Sequence, residues 1–162
     1  EPDLLLEDGG VVAGHLRLIH TPGHDDDSVC WYDMNTKTLI CGDSLQFNGT
    51  STQGIGFYQD LKAYRNTLRK LSEIPVNNII LGHPYNPCGA VAIGQEKAYA
   101  FLEECISLVD IYDEFIRNLV NEGENDPVVI AQRLIEHMGG KMPEYLFLAL
   151  YTVTEHLKEA TG

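Results

Sequence analysis

Short apolar runs typical of β-strands dominate the first half of the chain. Alternating apolar and polar side chains predict one half-buried strand over residues 12–18. Two further β-type runs, at 29–32 and 38–41, are separated by a polar segment that predicts a hairpin connection. A fourth run, 78–81, has the composition of a buried strand and leads directly into Gly82 and His83.

Helical spacing interrupts this pattern once and then replaces it. Apolar side chains at 3-4-3 spacing predict a helix over 61–71, ended by Pro75. From about residue 94 the same spacing continues to residue 119, which predicts a long amphipathic helix. Packing on the body of the protein is the favoured interpretation of its apolar stripe. A dimer seam is the alternative, because sustained heptad spacing also suits contact between helices.

Two more helices are predicted near the end of the chain. Asp126 is a good cap and Pro127 a good first residue for one helix, and Pro143 opens the other. The change of period divides the sequence into two regions. We predict an α/β region over 1–93 and a C-terminal helical region over 94–162.

Composition and charge restrict the possible partners. The 162 residues are 44% hydrophobic and 22% charged, which is typical of a globular protein with a core. No apolar stretch is long enough to cross a bilayer. The net charge of −13 disfavours binding to nucleic acid and to anionic membrane surfaces. The four cysteines include no CxxC pair, which favours reduced thiols in a cytoplasmic protein.

Three side chains that bind metals well follow predicted strands, each beside a glycine. They are His24 after Gly23, Asp43 after Gly42, and His83 after Gly82. A single loop histidine or a single aspartate after glycine usually has only a structural role. The three together are more specific, because strand ends that meet at one sheet edge often form sites. Two imidazoles and a carboxylate suit Zn²⁺, and also Mn²⁺ or Fe²⁺.

These residues carry a resemblance to a known family. The segments HTPGH at 20–24, LICGDSL at 39–45 and ILGH at 80–83 resemble the later half of the metallo-β-lactamase fold superfamily. The resemblance covers roughly residues 10–90. It implies the second half of a four-layer αββα sandwich, here followed by a C-terminal helical region.

The resemblance also implies a role for each matching residue. His24 would bind the first metal ion, Asp43 would bridge two ions, and His83 would bind the second. His20 is normally not a ligand, so we expect it to make a supporting hydrogen bond. Asp27, in the acidic run after His24, is a second candidate for such support, although a solvated acidic turn is the favoured interpretation.

The family's chemistry is hydrolysis by a metal-bound hydroxide, acting on an ester, thioester, lactam or phosphodiester. Its HxHxDH motif, which supplies the remaining ligands, is absent from this sequence. We therefore expect the chain to be the C-terminal portion of a dinuclear zinc hydrolase and to be inactive alone. Its expected partners are a small-molecule substrate and either the missing N-terminal half or a second copy of the chain.

The loop after Asp43 and the helical tail carry the remaining functional expectations. The polar, glycine-rich loop after Asp43 predicts substrate contacts through Asn48 and Thr50. The helical tail resembles the winged-helix-like appendage of one branch that includes RNA-processing enzymes. Its last helix offers only Lys158 against three glutamates, which disfavours nucleic acid binding. The other alternative is a non-catalytic interaction or oligomerisation module.

Overall fold

The chain builds one β-sheet with helices packed against it. A computed structural model describes residues 5–49, 53–85 and 89–162. These ranges contain six strands and four α-helices, which confirms the predicted α/β fold class. In chain order the elements are β1 (Val11–Val12), β2 (Leu16–His20), β3 (Val29–Asp33), β4 (Thr38–Ile40), α1 (Leu61–Ser72), β5 (Asn78–Tyr85), β6 (Gly89–Ile93), α2 (Gln95–Asn121), α3 (Pro127–His137) and α4 (Leu146–Thr161).

The six strands lie in sequence order across the sheet. Neighbours pair antiparallel except β4 and β5, which are parallel. A parallel pair needs a long crossover connection, and the segment containing α1 provides it. The carboxyl ends of β4 and β5 consequently lie at the same edge of the sheet.

The first predicted strand is wrong in one respect. Residues 12–18 are not one strand, because the chain reverses between β1 and β2. Ala13 and Gly14 adopt positive φ angles of 51° and 72°. Two successive positive φ values are typical of a tight hairpin turn, and the His15 amide closes it by donating to the Val12 carbonyl at 3.2 Å. Alternation hides this turn because Gly14 also fits an apolar position of the strand pattern.

The other side of the sheet contains a strand that the hydrophobic pattern does not predict. β5 continues beyond residue 81 as far as Tyr85, so that His83 lies inside the strand. β6 pairs with it, Tyr85 lying opposite Gly89, with an irregular register along the pair. The short, glycine- and alanine-rich sequence of β6 has little strand propensity of its own. Pairing with β5 is what makes it a strand.

Helices cover one face of the sheet. The strand side chains buried on this face include Ile19, Cys30, Tyr32, Leu39, Ile79 and Ala92. The helix α2 packs against β5 and β6 and against the other three helices. Its apolar stripe is buried inside the chain, so the packing interpretation of this helix accounts for the heptad spacing.

The opposite face of the sheet carries an uncovered apolar row. Leu18, Trp31, Ile40, Ile80 and Val91 are successive partners across β2 to β6. Ile40, Ile80 and Val91 are 39%, 38% and 50% exposed. We call these five residues the open face.

The last helices begin close to their predicted starts. The Asp126 carboxylate accepts a hydrogen bond from the Val128 amide at 2.8 Å, and Pro127 is the first residue of α3, as predicted. The final helix starts at Leu146, three residues after the predicted Pro143. None of the helices in the described ranges is long and apolar enough to cross a membrane.

Candidate metal centre

The loop that carries His24 connects β2 to β3 and packs against the start of α1. The Gly23 carbonyl accepts hydrogen bonds from the Gln59 amide at 2.8 Å and the Asp60 amide at 3.1 Å, at the start of α1. Gly23 has a φ of 135°, and a Cβ atom there would lie 2.5 Å from the Cα of Tyr64. Only glycine permits this close approach. The glycine before His24 therefore sets the position of the loop on the helix.

One hydrogen bond orients the His24 ring. Its Nδ1 lies 2.9 Å from the Phe57 carbonyl oxygen. A carbonyl oxygen can only accept, so Nδ1 carries the proton and Nε2 keeps a free lone pair. The Phe57 ring also contacts the imidazole edge-on, with centroids 4.9 Å apart. Nε2 is thus the His24 atom that is available to a metal ion.

Asp43 and His83 meet at the shared edge of β4 and β5. The Asp43 Oδ1 atom lies 3.3 Å from His83 Nε2. This Oδ1 is buried and has no hydrogen-bond donor in the described part of the chain. A Cβ atom on Gly82 would lie 2.6 Å from it, so the glycine before His83 makes room for the carboxylate.

The pair has the spacing of two ligands on one ion. Bonds of about 2.0–2.1 Å at tetrahedral angles place neighbouring ligand atoms about 3.4 Å apart. A buried carboxylate oxygen without a donor is short of positive charge. Both observations fit a divalent cation. Within residues 5–49, 53–85 and 89–162, no three His, Cys, Asp or Glu side chains form a complete metal cluster.

Gln46 connects the Asp43 backbone to Phe57, the residue that orients His24. Its Nε2 donates to the Asp43 carbonyl at 2.8 Å, and it lies 3.3 Å from His24 Nδ1 without a hydrogen bond because both nitrogens are donors. Its Oε1 accepts from the Phe57 amide at 3.1 Å. Gln46 lies outside the residues that the sequence patterns indicate. Its signal is a polar side chain inside an apolar run, three residues after Asp43.

Comparisons with known proteins identify the family of the chain. The family model of the metallo-beta-lactamase superfamily matches residues 1–83, about half of the chain. The chain belongs to the metallo-β-lactamase superfamily. This confirms the predicted family, while the winged-helix-like character of the tail stays a prediction.

Curated relatives in the superfamily include named hydrolases. The chain is 31% identical over 97 residues to an acyl-coenzyme A thioesterase of Homo sapiens, covering 56% of this chain and 34% of that protein. It is 29% identical over 140 residues to a hydroxyacylglutathione hydrolase of Francisella tularensis subsp. novicida, covering 80% and 49%. The chain spans about half or less of the length of these relatives.

Solved structures show the same fold. A metallo-beta-lactamase family protein from Thermus thermophilus superposes with a TM-score of 0.68 at 22% identity, over 98% of this chain and 50% of that one. The inverting sec-alkylsulfatase Pisa1 from Pseudomonas sp. gives 0.61 at 18%, over 99% and 26%. These likenesses confirm the superfamily fold for nearly the whole described chain, helical region included.

The remaining predicted site residues are His20, Asp27, Asn48 and Thr50. The His20 ring donates from Nε2 to the Asp26 carbonyl oxygen at 2.9 Å, because a carbonyl oxygen can only accept. Asp27 is exposed, as are its two acidic neighbours. Asn48 points toward the helices, where its Nδ2 donates to the Met138 carbonyl at 3.2 Å. Thr50 and Cys88 lie outside the described residues.

Proposed function

We propose that this chain supplies one side of a dinuclear zinc centre in a hydrolase of the superfamily. The observation that carries the proposal is the convergence of Asp43 Oδ1 and His83 Nε2 at 3.3 Å with no hydrogen bond between them. His24 adds a third donor through Nε2. When bound, the ions supply an activated water and polarise the carbonyl oxygen of the substrate.

The side chains have separate tasks in this proposal. Asp43 would hold metal through its carboxylate. His24 and His83 would each offer one imidazole nitrogen, and Gln46 donates a hydrogen bond to the Asp43 carbonyl. The remaining ligands and the group that orients the attacking water come from the HxHxDH motif, which this chain lacks. We therefore propose that the chain is inactive by itself.

The proposed substrate is a small-molecule thioester. Relatives in humans and in the fungus Paecilomyces divaricatus are named as thioesterases, of acyl-coenzyme A and of an acyl carrier protein. The acidic surface gives no support to an RNA substrate. Cys30 and Cys41 are buried and form no disulfide bond, which supports the predicted cytoplasmic location.

We also propose that the open face packs against the other half of the parent protein. The face is apolar, it runs across five strands, and the chain spans about half of its relatives. Contiguous apolar surface of this kind marks an interface. A second copy of the chain is the competing occupant, and it is distinguished by the association experiment described in the Discussion.

Metal titration of the purified chain tests the site. We expect weak zinc binding, measured by calorimetry and by metal content after gel filtration, that is lost in Asp43→Asn and in His83→Gln. The matched controls are Asp110→Asn, whose side chain is 71% exposed on α2, and His137→Gln on α3. Equal metal content in the wild type and both site variants would contradict the proposal that Asp43 and His83 bind metal.

A further inference from the structure

The segment 56–58 lies between the candidate metal centre and the helical region. Its middle residue, Phe57, accepts the hydrogen bond that orients His24. Phe57 is also held by Gln46 through its amide. The residues on either side of it, Gly56 and Tyr58, are bound by side chains of α2 and α4. The helices are therefore connected to His24 through one short stretch of backbone.

Thr152 of α4 makes the most direct of these connections. Its hydroxyl donates to the Gly56 carbonyl at 2.8 Å and accepts from the Tyr58 amide at 3.2 Å. The Tyr112 hydroxyl of α2 accepts from the Gly56 amide at 3.2 Å. Thr152 is fully buried, so no water competes for these backbone groups.

A buried relay holds the Tyr58 side chain. Its hydroxyl lies 2.6 Å from His156 Nε2, and His156 Nδ1 lies 2.6 Å from an oxygen of Asp113. A carboxylate can only accept, so His156 Nδ1 is protonated and donates to it. Burial raises the pKa of Tyr58 well above its usual value, so the phenol keeps its proton and donates to Nε2. Arg65 of α1 pairs with the same carboxylate.

The relay connects three helices inside the protein through polar and charged side chains: Arg65 of α1, Asp113 of α2 and His156 of α4. Burial alone would raise the pKa of Asp113, but the His156 hydrogen bond and the Arg65 charge lower it, so the carboxylate stays ionised. Apolar side chains of similar volume would generally stabilise such a core as well or better. Directional hydrogen bonds restrict the Tyr58 hydroxyl to one position, which apolar packing does not achieve.

We propose that the helical region is a positioning element for the metal centre. Thr152 and the Tyr58–His156–Asp113 relay fix the 56–58 backbone, and the Phe57 carbonyl then holds His24 as the tautomer with its proton on Nδ1. The metal-binding significance of this tautomer rests on the proposed function, but the tautomer itself is a property of the metal-free chain. These residues act through His24 and touch no reacting group.

The test measures the His24 tautomer by long-range ¹H–¹⁵N NMR of the imidazole rings in the metal-free chain. The wild type should show one tautomer, with Nε2 unprotonated. Thr152→Val, which keeps the side-chain shape and removes the hydroxyl, should give a mixture of tautomers. Thr152→Ser should restore the single tautomer. Thr154→Val, the same change at an exposed position of α4, should leave it unchanged.

Zinc affinity of the same variants gives a second reading. We expect Thr152→Val to weaken binding by about tenfold to a hundredfold, the usual loss for groups that orient a ligand. Tyr58→Phe deletes one oxygen from the relay and should act in the same direction. If Thr152→Val unfolds, as judged by circular dichroism, Tyr58→Phe decides the question by the same tautomer reading.

The two proposals fail in different ways. A single, unchanged His24 tautomer in folded Thr152→Val or Tyr58→Phe overturns the positioning proposal, whatever the metal data show. A tautomer that responds as expected, together with metal content unaffected by Asp43→Asn and His83→Gln, leaves positioning intact and overturns the proposed metal centre.

Discussion

Individual residues decide whether the candidate ligands can meet. Position 82 requires glycine, because the Asp43 carboxylate occupies the space where a Cβ atom would lie. The backbone of Gly42 closes the same space at 3.0 Å and 3.1 Å, so it leaves no room for adjustment on that side. The glycine–histidine pair is thus a steric requirement of the site, beyond its value as a sequence signature.

Replacing this glycine should damage the site more than the fold. In Gly82→Ala the new methyl group displaces Asp43 Oδ1 from His83, while β5 keeps its pairing because the change requires no unusual φ angle. We expect zinc affinity to fall by about tenfold or more, as for other losses of ligand orientation, with little change in the circular dichroism spectrum. Pro84→Ala, exposed in the same strand, is the control. Undiminished affinity in Gly82→Ala would contradict the geometry.

At the scale of elements, the start of α1 supports the His24 loop. Asp60 caps this helix by accepting from the Ala63 amide at 2.8 Å, and its own amide donates to the Gly23 carbonyl at 3.1 Å. One residue therefore ends the loop and begins the helix. The sequence predicts the helix from its spacing but not this double use of Asp60, because the contact with Gly23 joins residues far apart in the chain.

Removing the cap should lower stability modestly. Asp60→Ala leaves a helix amide without its acceptor, at a cost of about 1 kcal/mol. For a chain of this size that corresponds to a fall in Tm of about 2–4 °C in a thermal denaturation experiment. Asp60→Asn keeps an acceptor and should recover most of the loss. An Asn variant as unstable as the Ala variant would show that charge, and not capping, is what matters at this position.

At the scale of the whole molecule, the open face is an apolar surface that no part of the described chain covers. Its five residues belong to strands whose other face is already buried under the helices. Water contact with such a row is unfavourable by roughly 25 cal/mol for each Å² that a partner would cover. The isolated chain should therefore associate with itself when the other half of the parent protein is not there.

Light scattering after gel filtration checks this expectation with a matched pair of variants. Ile80 on the open face and Ile111 on α2 are equally exposed, at 38% each. Ile80→Lys should shift the chain toward the monomer, and Ile111→Lys should not. A wild-type chain that remains a stable monomer at high concentration would argue against the open face as an interface. A discrete wild-type dimer would favour a second copy as its occupant.

The sequence by itself determined the family, the candidate ligands and most of the local structure. Some features depend only on residues that are close in the sequence, so they can be read without the fold. They are the glycines beside His24, Asp43 and His83, the hairpin between β3 and β4, and the apolar stripe of α2. The family followed from three short segments. What local patterns miss is strand pairing itself: β6 is a strand because it pairs with β5, and the turn at Ala13 is hidden because Gly14 fits the alternation of a strand.

Only the tertiary structure decided how the site is held. The parallel pairing of β4 with β5 brings Asp43 to 3.3 Å from His83, although 40 residues separate them. The fold likewise brings Gln46, Thr152 and His156 into the hydrogen-bond network around His24. Because they are far from His24 in the sequence, the sequence alone does not reveal this connection. Hydrogen bonds between such residues depend on how helices and strands pack, and packing is set by the whole core. The sequence names the candidate ligands, and the fold alone determines which way they point.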